Sequence, residues 1–101
     1  MDPHSSTFYE LHYTKQAEKF FAAHPKVLDQ YKAAMKELLT GAHPERLDIK
    51  MIRGKHNAKY YRLRINEYRI IYTIINGRIV VINTLLAGAR GDIYKKMHDL
   101  D

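Results

Sequence analysis

At 101 residues, 46% of them hydrophobic, the chain is one folded domain and too short for two cores. It has no cysteine, which excludes disulfides and a thiolate zinc site and suits a reducing cytosol, and no apolar run nears the ~20 residues of a membrane helix. A net charge of +6 and an isoelectric point near 9.6 favour a polyanionic partner, either nucleic acid or an acidic protein.

Residues 1–7 lack the layout of a signal peptide and read as a ragged, disordered end to a single domain spanning 1–101. Residues 8–14 alternate Phe8, Glu10 and His12 with Tyr9, Leu11 and Tyr13, the pattern of a strand. Helices follow it directly, so its pairing is long-range. Thr14 is a fitting N-cap for a helix from Lys15 to about Ala23, with Ala17, Phe20 and Phe21 as its apolar stripe. His24-Pro25 breaks that pattern, and Pro25 suits the first position of a second helix. This helix carries Val27, Leu28, Tyr31, Met35, Leu38 and Leu39 on one side and stops at Gly41. Together the two helices make a hairpin that can cover one face of a sheet.

Residues 42–59 read as a connector whose Leu47, Ile49 and Ile52 tuck into the core. From Tyr60 to Ile82 the chain reads as three strands joined at Asn66-Glu67 and Asn76-Gly77, the latter a strong hairpin signal because both residues tolerate positive φ. In the first of these strands Tyr61, Leu63 and Ile65 point one way and Tyr60, Arg62 and Arg64 the other. The pattern gives the meander an apolar face and an arginine-bearing face. Gly88 and Gly91 bracket Arg90, which fits a bend close to a ligand, and Asp92 suits the N-cap of a last helical turn carrying Ile93, Tyr94 and Met97. The expected fold is α+β: a β-α-α-β-β-β antiparallel sheet with a helical hairpin on one face and a short helical tail.

Cationic residues crowd residues 46–69: Arg46, Lys50, Arg53, Lys55, Lys59, Arg62, Arg64 and Arg69, opposed by Asp48 and Glu67. The six histidines are scattered without metal-ligand spacing, and no glycine-rich nucleotide loop or Ser/His/Asp constellation is present, so no metal or cofactor is expected.

Tyr61-Arg62-Leu63-Arg64, then Glu67-Tyr68-Arg69-Ile70-Ile71-Tyr72, then Gly88-Ala89-Arg90-Gly91-Asp92-Ile93-Tyr94 resemble the RelE/ParE superfamily of toxins, the RelE branch best. The resemblance spans residues 8–97. It implies a small cytoplasmic endoribonuclease that enters the ribosomal A site, cuts mRNA there, and is held inactive by a cognate antitoxin. Two rivals share the fold: a ParE-like toxin that poisons DNA gyrase, and a degenerate toxin that only binds.

RNA cleavage without a metal proceeds by attack of the 2′-hydroxyl on the adjacent phosphate. It needs a base at that hydroxyl, cationic donors for the developing charge, and a proton for the leaving 5′-oxygen. By motif position the resemblance assigns the catalytic roles to Arg62, Arg69, Arg90 and Tyr94. Arginine suits phosphate oxygens through its planar fork, and a tyrosine can orient the 2′-hydroxyl, stack on a base or act as the base. Arg62 and Tyr60 stand where RelE-type toxins carry lysines. Arginine is a poor acid, so Lys55, Lys59 and His98 are the alternatives for the proton. Lys50, Arg53, Lys55, Lys59 and Arg64 are expected to hold mRNA and rRNA phosphates.

Overall fold

The computed structural model describes residues 9–41 and 43–97. The expected disordered end at 1–7 and His98 lie outside the described residues. The chain opens with strand β1 (Tyr9–Tyr13), helix α1 (Lys15–Ala23) and helix α2 (Pro25–Thr40). Thr14 caps α1 by accepting from the backbone N–H of Ala17 at 3.3 Å, and Pro25 opens α2. Strands β2 (Ile49–Arg53), β3 (Lys59–Ile65), β4 (Tyr68–Asn76) and β5 (Val80–Ala89) follow, and helix α3 (Arg90–Lys96) ends the described chain.

The expected helical hairpin on one face of a sheet is present. The sheet holds one strand more than expected, in the order β1-β5-β4-β3-β2. The extra strand is β2, inside the stretch read as a connector. Its Met51-Ile52 pair interrupts strict alternation, and only pairing with β3 reveals it. The long-range partner of β1 is β5, and the two run parallel, Leu11 opposite Ile82. Parallel pairing needs a long crossover, which the helices and the β2–β4 ribbon supply. The other neighbouring strands are antiparallel.

Where β1 ends, side chains continue its ladder on β5. Thr14 Oγ1 donates to the Leu85 carbonyl at 2.7 Å. Gln16 donates to the Ala87 carbonyl and accepts from the Ala87 N–H, at 2.7 and 2.9 Å. This fixes the start of α1 against the sheet.

The turn at Asn66-Glu67 falls where expected, and the one at Asn76-Gly77 does not take the expected form. No described glycine has positive φ, so Gly77 supplies no left-handed turn; a three-residue loop, Gly77-Arg78-Ile79, joins β4 to β5. The left-handed pair occurs at His56 (φ 56°) and Asn57 (φ 62°), between β2 and β3, where the Ala58 N–H donates to the Lys55 carbonyl at 3.0 Å. Asn66 (φ 54°) turns β3 into β4.

The main core lies between the helices and the sheet. Ala17, Phe21, Val27, Tyr31 and Met35 meet Leu63, Ile70, Tyr72 and Ile82, and Leu47 and Ile49 pack against them as expected. Tyr31 is fully buried and shares a 2.7 Å hydrogen bond with Thr84. Tyr72 is fully buried, and its hydroxyl has no hydrogen-bond partner among the described residues. Replacing Tyr72 with phenylalanine should therefore leave stability unchanged or raise it by up to about 1 kcal/mol, because an unpaired buried hydroxyl gains nothing from folding; thermal melts check this.

Burial pushes the Tyr72 phenol up from its ordinary value of 10.0. Burial likewise raises Tyr31, although its hydrogen bond to Thr84 works the other way. The unfolded chain releases these protons from about pH 10 while the folded chain retains them, so stability is full below that pH and falls above it. The decline should be at most about 1.4 kcal/mol per pH unit per tyrosine, and Tyr72→Phe should flatten it.

A bulge between Ile71 and Tyr72, set against Leu85, lets β5 feed both faces. The face away from α1 and α2 carries a second small core of Tyr60, Ile71, Leu86 and Ile93, joined by Ile52 and Met97. The arginine-bearing face is thus half apolar, because α3 lies on it. An added Cβ at Gly88 would come within 3.2 Å of Ile93 Cδ1, so glycine there allows α3 to sit close on β5.

Candidate functional site

The strand register sorts the cationic residues into two rows on the α3 face. In one row Lys50 of β2 stands opposite Arg62 of β3, followed by Ile71 and Leu86. In the next, Arg64 of β3 stands opposite Arg69 of β4, followed by Gly88 of β5. Two like-charged cross-strand pairs therefore lie side by side. Such pairs typically cost a few tenths of a kcal/mol each, and an anion between them converts the repulsion into attraction.

The two arginine columns differ in support. Arg69 is only 6% exposed, and its Nη1 donates to the carbonyls of Asn66 and Tyr68 at 3.2 and 3.1 Å. It clamps the β3–β4 turn as well as facing the site. Arg62 has a largely buried side chain whose Nη2 donates to Asp48 Oδ1 at 2.9 Å. The Nε atoms of both arginines are buried without a partner among the described residues. Arg64 is exposed and donates through Nε to the Asn66 carbonyl at 3.4 Å.

Arg90 is exposed at the first position of α3, two residues past Gly88 and so just beyond the Arg64–Arg69 row. The expected bend between Gly88 and Gly91 is instead a direct passage from strand to helix. Ala89 is the N-cap, without a side-chain cap bond, and Asp92 lies in the first turn. Tyr94 is 43% exposed, because Ile93 and Met97 carry the apolar contact of α3 and Tyr94 faces away from it.

The remaining expected contacts spread out. Lys50 shares the arginine face with Arg62. Arg53 and Lys59 pair with each other at the far end of the β2–β3 ribbon, on the side of Met51 and Tyr61 that faces the helices. Lys55 lies in the exposed turn between those strands. Tyr60 is buried in the second core. Among the lysines of the described residues, Lys50 alone shares a face and a row with Arg62. Across Gly88 and Ala89 from the arginine row, a groove of about 580 Å³ opens between α1 and α3, with Phe20, His24, Tyr68 and Lys96 among its walls. His24 stacks on Phe20 there, ring centres 4.5 Å apart. Nothing in the sequence marks this groove, because the helix-hairpin residues carry no chemical motif.

Comparison with known proteins follows the same outline. Residues 11–90 match the sequence model of the ParE toxin of type II toxin-antitoxin systems. The archaeal RelE-RelB complex from Pyrococcus horikoshii OT3 contains a chain 28% identical to this one with a TM-score of 0.61, the match covering 82% of this chain and 96% of that one. The RelB-RelE antitoxin-toxin complex from Methanococcus jannaschii gives 28% identity and a TM-score of 0.55, covering 83% of this chain and 95% of that one. No curated protein matches the sequence. With one family model spanning most of the domain, and both archaeal structures repeating its fold over nearly their whole length, the chain belongs to the RelE/ParE superfamily of type II toxin–antitoxin toxins, where the RelE branch fits it.

Proposed function

We propose that this toxin is a metal-independent endoribonuclease that cuts mRNA in the ribosomal A site. The observation that carries the reading is the double row of like-charged cross-strand pairs, Lys50–Arg62 and Arg64–Arg69, beside an exposed Arg90 and Tyr94. A phosphodiester strand is the ligand such a surface suits.

In this reading the 2′-hydroxyl of one nucleotide attacks the adjacent phosphorus and the bond to the 5′-oxygen breaks, leaving a 2′,3′-cyclic phosphate and a 5′-hydroxyl. Arg69 and Arg90 stabilise the charge that grows on the non-bridging oxygens. Tyr94 orients the attacking hydroxyl, whose proton passes to water, or stacks on a base. Arg62 and Arg64 hold flanking phosphates. Lys50, across from Arg62, is the lysine best situated to give the leaving oxygen its proton. Arg53, Lys55 and Lys59 extend the positive surface toward rRNA. The protein acts in the cytoplasm, and a cognate antitoxin of the RelB kind holds it inactive.

The match to the ParE family model favours a second reading, the ParE-like rival raised by the resemblance, in which the same fold inhibits DNA gyrase. Two assays separate them. Purified toxin should stop translation in a cell extract and leave gyrase supercoiling untouched; inhibited supercoiling with normal translation would support the second reading instead.

A further inference from the structure

Asp48 lies inside the basic surface and is unlike the other acidic residues near it. Its backbone carbonyl accepts from the Arg64 N–H at 3.0 Å, which fixes its place at the head of β2. Its carboxylate then spans two guanidiniums, Oδ1 lying 2.9 Å from Arg62 Nη2 and Oδ2 3.9 Å from Arg64 Nη1. The Arg62 side chain is 15% exposed and that of Asp48 53%. The cation is therefore the fixed partner and the anion the solvent-facing one. Arg62 Nε, buried and without a partner among the described residues, leaves that guanidinium with an unused donor.

A carboxylate with one oxygen bonded to Arg62 and the other within ion-pair distance of Arg64 occupies the position that two oxygens of a phosphodiester fit. We propose that Arg62 and Arg64 form a phosphate seat, held in the free protein by the Asp48 carboxylate, and that a backbone phosphate of RNA enters by displacing it. This rests on the reading that the arginine face holds RNA. Asp48 acts as an internal competitor that weakens binding of loose RNA. The favoured substrate is then one whose other contacts suffice to drive the exchange.

The test compares the whole protein with Asp48→Asn and Glu67→Gln. Asparagine keeps the size of the side chain and the backbone bond to Arg64. Glu67→Gln adds the same unit of charge in the β3–β4 turn. Binding of a short oligouridylate is measured against salt concentration, and the Arg62 Nε–H resonance is followed as inorganic phosphate is added. Asp48→Asn should bind the RNA severalfold tighter, with a log–log salt slope steeper by up to about 0.7, the weight of one more phosphate on a single strand. Its Arg62 resonance should shift at lower phosphate than in the wild type, and Glu67→Gln should do neither. RNA binding that Asp48→Asn weakens, or alters no more than Glu67→Gln does, overturns the seat while the RNA reading stands. No RNA binding by any of the three proteins, with the Arg62 shift as expected, keeps the seat and overturns the RNA reading. No RNA binding and no shift overturns both.

Discussion

Arg90→Ala is expected to lower RNA cleavage by at least about 10²-fold, the usual cost of removing one donor to a developing oxyanion, with the melting temperature unchanged. Arg90 is exposed at the start of α3, so its loss should fall on chemistry alone. Arg69→Ala should lose cleavage to a similar extent and also destabilise the fold. Its Nη1 donates to two carbonyls at the β3–β4 turn, and hydrogen bonds from a charged group contribute about 1.5–3 kcal/mol. Arg69→Lys keeps the charge and gives up the fork, so it should recover part of the stability and little of the cleavage. The check is cleavage rate beside thermal melts for all three variants. Full cleavage by a folded Arg90→Ala would remove Arg90 from the site.

Ile93→Ala should have the largest effect among residues that touch no substrate. Ile93 is fully buried between α3 and the sheet, against Tyr60, Ile71 and Leu86. Removing a buried isoleucine to alanine costs about 2–5 kcal/mol. α3 has seven residues and no side-chain cap bond, so it cannot hold together away from the sheet. The loss should therefore be local: α3 opens while β1–β5, α1 and α2 stay folded. Amide exchange should speed up at residues 90–97 and much less in β4. Cleavage should fall with it, because Arg90 and Tyr94 lose their support. Uniform loss of protection over the whole chain would mean that α3 is part of one cooperative unit.

Local signals made the helices and the inner strands legible. Thr14, Pro25 and the stripe from Val27 to Leu39 act within a turn or two, so propensity and periodicity were enough. Alternation along β3 separated Leu63 from Arg62 correctly, since a strand has only two faces. What escaped depends on distant partners. Strand β2 breaks alternation at Met51-Ile52 and is held by β3. The left-handed turn falls on His56-Asn57, with no glycine to mark it. α3 covers part of the arginine face because the bulge at Leu85 and the bare Gly88 make room for Ile93, a fit no spacing rule announces. Among the site residues, motif position singled out Arg62, Arg69, Arg90 and Tyr94, but not the turn clamp made by Arg69. Nor did it distinguish Asp48 from any other acidic residue, because its partners lie fourteen and sixteen positions away on another strand.

Cleavage by the 2′-hydroxyl on the arginine face leaves its own signature in the products. The most direct measurement is primer extension on a reporter mRNA in a translating extract, with the ends of the fragments analysed chemically. A parallel reaction omits ribosomes. The expected result is cuts within codons only when ribosomes hold the message, with 2′,3′-cyclic phosphate and 5′-hydroxyl ends. Intact mRNA in the translating extract, or cuts that leave 5′-phosphates, would contradict cleavage by the 2′-hydroxyl at this face.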